Sequence, residues 1–392
     1  MAITQVSASA STNLDQATDT VINTMTATPG AGTYVAIYSM TVVSNAAPVD
    51  ADVLFFSLYG AGSQVSGTER RYIEDDSFPS TEHMVAVAAV ITVADGQAID
   101  ARARVSATGR PFSATFRCLT LLPVASGDVT QIVDTADDTL ASATYTVLDS
   151  MTSTPPAGDY LLLFGTSIEM DTDADLAAVA VHVGGTILQH SERTAHREQS
   201  YNQYGTPTFI ACKVSPNGSQ AVDVRWQRQA GSGTLTARHR MLTLVKVASG
   251  DLLETSGTTD DTDVSTTPVV VDNLTLTTPA ADDWVAVFSA SDHQVTGGTL
   301  FTYGIYVGAS LVAASERDNF HEGSLDAADV WIATHSLVAP NGAQNVDVRW
   351  NGNDTGSRII RERTLVLVRE AAAAVTENIR AKFRRQPRAE VF

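Results

Sequence analysis

Cysteine, lysine and long apolar runs are all scarce in this chain, and each shortage excludes a class of protein. Only Cys118 and Cys212 occur, at non-equivalent places, so neither a disulfide framework nor a cysteine-built metal cluster is expected. No apolar stretch approaches the roughly twenty residues of a membrane-spanning helix. The start, Met1-Ala2-Ile3-Thr4-Gln5, lacks the basic and apolar regions of a signal peptide, so neither export nor membrane insertion is expected. Lysine is confined to Lys213, Lys246 and Lys382, and 25 basic residues against 44 acidic ones give a formal net charge of -19 over 392 residues. So acidic a chain should avoid nucleic acid.

Recognisable catalytic sets are missing too. There is no Gly-x-Ser-x-Gly elbow, His-Glu-x-x-His, phosphate-cradling glycine loop or Cys-x-x-Cys pair, so no enzymatic activity and no cofactor are expected. His182, His190 and His196 are close in sequence but read as ordinary surface or core histidines. Asp171-x-Asp173-x-Asp175 has the spacing of a calcium loop, yet Leu176 and His182 stand where an EF-hand needs glycine and glutamate. A solvated acidic loop is the favoured reading, with calcium as the alternative.

What the sequence has in abundance is repetition, with a period of about 124 residues. Tyr34, Tyr160 and Trp284 recur in register, as do Gly60, Gly184 and Gly308, and the pairs Glu69-Arg70, Glu192-Arg193 and Glu316-Arg317. Val124-Ala125-Ser126-Gly127-Asp128 returns unchanged as Val247-Ala248-Ser249-Gly250-Asp251. These joints are too short for roaming domains, so closely packed repeats are expected over 1-126, 127-249 and 250-370, followed by a tail at 371-392.

Within the second repeat, runs rich in Val, Ile, Thr and Leu bounded by turn residues read as strands near 129-134, 143-152, 159-168, 176-183, 186-191, 207-214, 220-226 and 235-246. Gly184-Gly185 suits a tight hairpin, and Pro216-Asn217-Gly218 and Pro340-Asn341-Gly342 a recurrent turn. The expected class is all-β: three tandem antiparallel sandwiches of jelly-roll type, which joints this short allow to pack as a pseudotrimer.

Pro155-Pro156-Ala157-Gly158-Asp159-Tyr160-Leu161-Leu162-Leu163, followed by a hairpin strand and Val183-Gly184-Gly185, resembles the tumour-necrosis-factor and complement C1q-like jelly rolls. The whole chain is similar to structural proteins of tailed bacteriophages. That resemblance implies a virion protein, made in the host cytoplasm, that decorates a capsid or forms a vertex or tail appendage beside capsid or tail subunits in a larger homo- or hetero-oligomer. The alternative is a receptor- or carbohydrate-binding protein contacting a host-surface glycan. It would use segments near 71-83, 194-206 and 318-328, with Tyr201, Tyr204, Phe320 and Trp331 as platforms.

Arginine supplies the interface candidates. Asp223 and Arg225 share a strand face, as do Arg238 and Arg240 on the next strand, and Asp347, Arg349, Arg361 and Arg363 repeat the pattern. Asp100, Arg102 and Arg117 carry it in reduced form, with Thr115 in place of one arginine. Cross-strand ion pairs are expected, either as a surface ladder worth at most about 1 kcal/mol per pair or, the favoured reading, between repeats. The tail joins them: Arg380, Lys382, Phe383, Arg384 and Arg385 follow an alanine-rich stretch and suit a peptide that docks on an acidic surface, or else a solvated tail.

Overall fold

The computed structural model describes residues 2-44, 53-73, 82-106, 112-171, 175-196, 204-277, 279-294, 299-321, 328-353 and 356-369. Strands dominate, and among these residues the helical content is three 3-10 turns, Ser126–Asp128, Gln189–Ser191 and Ala313–Ser315.

The middle stretch shows the plan. One antiparallel sheet runs Val129–Asp134, Leu235–Val247, Asp159–Met170, Tyr204–Val214, and the facing sheet runs Thr146–Ser153, Val222–Ala230, Leu176–Val183, Thr186–Ile187. Arg193–His196 also pairs with Leu176–Val183. Apart from the hairpin of Leu176–Val183 with Thr186–Ile187, neighbours along these two paths are distant in sequence, which is the jelly-roll way of winding a sandwich. The strands from Thr4 to Val124, and again from Leu252 to Arg369, follow the same order. Three differences from the expected strands are local. Asp138–Leu140 is a short extra strand paired with Leu235–Val247. The 186-191 segment is strand only at Thr186–Ile187 before it tightens into a turn, and Arg193–His196 is a strand that its short, charged sequence conceals.

Alternate side chains explain the burial. In Asp159–Met170, Leu162 and Phe164 point into their own sandwich, while Leu161 and Leu163 point the other way into a second apolar cluster. That second cluster draws from all three repeats: Val35, Ile37 and Leu122; Phe209, Ala211 and Val245; Val285, Val287 and Val366. A strand dry on both faces reads as a continuous apolar run. The three sandwiches therefore stand around a pseudo-threefold axis, each presenting the sheet with the longer strands to it. The other sheet faces outward.

Gly184 and Gly185 take φ of +59° and +81° in the expected hairpin, a region that costs glycine nothing.

Candidate functional site

Each seam between sandwiches is built from the same parts. The strand opened by the Glu-Arg pair lies beside the next sandwich, and its arginine is buried to 0% exposure in all three copies. Arg70 donates to the carbonyl of His239 at 2.7 Å, across the first seam. Arg193 donates to the carbonyl of Glu362 at 2.6 Å and to the carbonyl and hydroxyl of Ser289, both at 2.8 Å. Arg317 reaches from the third sandwich to the first, donating to the hydroxyl of Ser39 at 2.7 Å, and this contact closes the ring.

A β-bulge makes the acceptor available. Strand register skips a step between Gly165 and Ser167 opposite Leu235–Val247, and His239 sits at φ +50°. The bulge leaves the His239 carbonyl for the neighbour's guanidinium. Phe116 occupies the matching bulge of the first sandwich, at φ +46°.

Two further contacts repeat around the ring. The amide after each arginine donates to a hydroxyl of the next sandwich: Arg71 to Ser167 at 2.9 Å, Thr194 to Ser291 at 3.0 Å, Asp318 to Thr41 at 3.1 Å. Gln131 and Gln5 accept backbone N–H groups of Val90 and Leu337, each at 2.6 Å, and Glu254 accepts that of Lys213 at 2.8 Å. Arg71 also pairs with Glu169 across the first seam.

Burial governs the electrostatics. It lowers Arg70 to about 9 and both Arg193 and Arg317 to about 10, because each guanidinium is sealed from water and faced mainly by carbonyls and hydroxyls. It raises Glu254, Glu362 and Glu82 to about 7. Nearby Glu192 adds to the effect at Glu362, and Asp318 at Glu82. His190, 3.6 Å from Glu254, is held down at about 4 by burial and then by Arg193.

These shifts have a sign. The three glutamates ionise near their ordinary value in the unfolded chain but stay protonated to about 7 in the folded one. Their contribution to stability is therefore complete below about 4.5 and lost as pH rises towards 7. His190 works oppositely, withdrawing stability as pH falls from its ordinary value towards 4. Glu254→Gln installs the residue type present at Gln5 and Gln131. It is expected to raise stability by about 1–3 kcal/mol at pH 7.5 and to change little at pH 4.5, as urea unfolding at the two pH values will show. An equal gain at both pH values would rule out ionisation as the cause.

The arginines expected at the seams are elsewhere. Arg102, Arg225 and Arg349 lie on the outward sheets and bond Asp100, Asp223 and Asp347 two residues back on the same strand, at 2.6, 2.6 and 2.7 Å. Arg102 and Arg349 also cover the rings of Tyr59 and Tyr306. Arg117, Arg240 and Arg363 are buried at the bulged strands and donate to carbonyls of their own sandwich, those of Ala10, Ala136 and Thr259. The expected cross-strand pairs do not form, because Asp223 and Arg225 belong to one sheet and Arg238 and Arg240 to the other. Arg238 pairs with Asp137 and Glu169 instead, and Arg240 with Asp134.

The acidic loop is partly explained. Asp175 is buried with Oδ1 3.1 Å from the amide of Gly233, and Asp171 accepts from that of Thr234 at 2.6 Å, so both brace a neighbouring turn. Asp173 is outside the described residues, as are Tyr201, Arg380, Lys382, Phe383, Arg384 and Arg385. Trp331 is not a ligand platform, since it is 4% exposed and packs into the core of the second sandwich.

No family model matches the sequence, and no curated protein does. Among solved structures, the chain is similar to one of the triple jelly roll fold and turret assembly in an archaeal virus, with 7% identity over 94% of this chain and 91% of that one, and a TM-score of 0.21. It is similar to PNGF-II in its C2 space group, with 7% identity over 82% and 98% and a TM-score of 0.28. It is also similar to the Gt strain of infectious bursal disease virus, with 8% identity over 94% and 81% and a TM-score of 0.22. The three neighbours differ in kind, and at this distance none bears on function.

Proposed function

We propose that the chain is a non-enzymatic structural protein of a virion, a single-chain pseudotrimer that decorates a tailed-phage capsid or forms a vertex or tail appendage. Three sandwich domains, 1-126, 127-249 and 250-370, act as one body, and the tail from 371 docks it to other virion subunits. The observation that supports this reading is the closed ring of like seams, in which Arg70, Arg193 and Arg317 make matched buried contacts. Such a ring gives a rigid plug of threefold shape, suited to mechanical work through buried area and oriented polar contacts.

Tail attachment agrees with docking along the axis. The last described strand, Arg358–Arg369, ends where Leu122, Val124, Val247 and Val368 line a small recess shared by the three repeats. Arg369, the last described residue, is therefore central to the plug.

Deleting 376-392 should leave the three sandwiches folded, since every seam contact described lies before residue 370, while incorporation into particles falls at least tenfold. Copurification with purified particles, alongside circular dichroism of the free protein, measures both. High salt should mimic the deletion only in part, because it screens exposed arginines but not burial of Phe383. Normal incorporation of the truncated protein would remove the tail from the docking role.

A further inference from the structure

The outward sheet of the third sandwich carries a recess that the other two sandwiches fill. In the first, Arg104 bridges Asp19 and Glu69 at 3.0 and 2.9 Å, and Tyr59 donates to Asp19 at 2.7 Å. In the second, the Tyr145 hydroxyl donates to Glu192 at 2.7 Å, with its ring against His182 at 5.3 Å, and Gln229 adds a bond at 3.2 Å. Both fillings satisfy the glutamate of the Glu-Arg pair.

The third sandwich keeps that glutamate as Glu316 and changes what satisfies it. Pro268 stands where Asp19 and Tyr145 stand, and Asn351 where Arg104 stands. The vacated space is about 300 Å³, lined by Pro268, Tyr306, Leu311, Glu316 and Asn351 among others. Gly304 forms part of its wall because Leu311 lies across it; a Cβ there would meet the Leu311 side chain at 2.5 Å. The Glu316 carboxylate has no hydrogen-bond partner among the described residues, and burial, then Asp318, raises its pKa. Arg349 is committed to Asp347 and to the Gly308 carbonyl, and Thr302 to Asp318.

From this geometry we infer that the recess is a binding subsite for one hydroxyl-rich sugar ring. The Glu316 carboxylate accepts two hydroxyls, as Glu192 accepts one from Tyr145. The Asn351 amide both donates and accepts. Pro268, Leu311 and the Tyr306 edge offer apolar surface to the C–H face of the ring, and the volume is at the small end for ligand pockets. A guanidinium suits the recess less well: Arg104 needs two carboxylates in the first sandwich, and proline replaces one of them here.

The inference is independent of the virion reading and has its own test. Saturation-transfer NMR of the full chain with a panel of methyl pyranosides, followed by an immobilised glycan panel, should find a bound pyranoside. Pro268→Tyr supplies the ring and hydroxyl that fill the second sandwich, and Asn351→Arg supplies the guanidinium of the first. Each is expected to weaken binding at least tenfold with an unchanged melting temperature, and having both keeps the test sound if one misfolds. Absence of any pyranoside signal, equal signal in the filled variants, or transfer to N-acetylarginine amide in place of sugars would each overturn the assignment.

Discussion

Asp292→Ala should lose about 3–5 kcal/mol of stability, because it strands a buried guanidinium. Asp292 and Arg358 are 2.6 Å apart with side chains 1% and 0% exposed, the Asn319 amide donates to the same carboxylate oxygen at 2.6 Å, and Arg358 lies over the Phe301 ring. The other repeats show what this site can do without charge. Ile168 and Leu235 occupy it in the second sandwich, and Val42 and Phe112 in the first. Asp292→Ile with Arg358→Leu should therefore recover most of that loss, since a desolvated ion pair is exchanged for the apolar pair of the other sandwiches, short of the roughly 1–3 kcal/mol cost of leaving the buried Asn319 amide without its acceptor. Urea unfolding of the single and double variants decides the matter. A double variant as damaged as the single one would mean that the cluster is required for reasons other than charge compensation.

A comparable loss is expected at the second seam. Arg193→Met should cost about 3–5 kcal/mol, since a charged donor leaves several buried acceptors at once. Arg70→Met should cost about half as much. The reason is the residue opposite: Ser289 faces Arg193 and Ser39 faces Arg317, but Gly165 holds that position opposite Arg70, whose Nη2 and Nε find no hydrogen-bond partner among the described residues. Trypsin reports the same hierarchy, because Lys246, exposed just before the joint to the third sandwich, is held in a paired strand and is cut faster once a loosened second seam lets that strand open. Equal losses for the two variants would show that the hydroxyl contributes nothing to the seam.

The fold was legible because its signals are local and repeated. Alternating apolar residues, glycine pairs and two identical joints mark strands, hairpins and boundaries without any knowledge of the partner strand. The seams were not legible for the opposite reason. Glu-Arg and Asp-x-Arg recur equally well, and recurrence does not say which strand lies at a sheet edge beside the next sandwich. Asp-x-Arg has a private partner two residues away, which a reader of sequence cannot distinguish from an arginine seeking a partner in another domain. One clue was present: residues 161 to 164 are all apolar, whereas a strand with a wet outer face alternates. The recess on the third sandwich was hidden because it is a difference between copies, seen only when Pro268 and Asn351 are set against Tyr145 and Arg104.

Covalent fusion of the three sandwiches has a consequence for how such a particle would look. Three identical chains would carry any feature in triplicate, but here the ion pair of Asp292 and the recess beside Glu316 belong to the third sandwich, and among the described residues the equivalent positions of the other two are filled differently. Seated on an exact threefold position of a shell, the chain can enter in three rotational settings that differ little in outline. An image averaged over that symmetry would show three equal lobes, with the single recess diluted to a third of its contrast. Classifying the lobes one at a time, without imposed symmetry, would restore it.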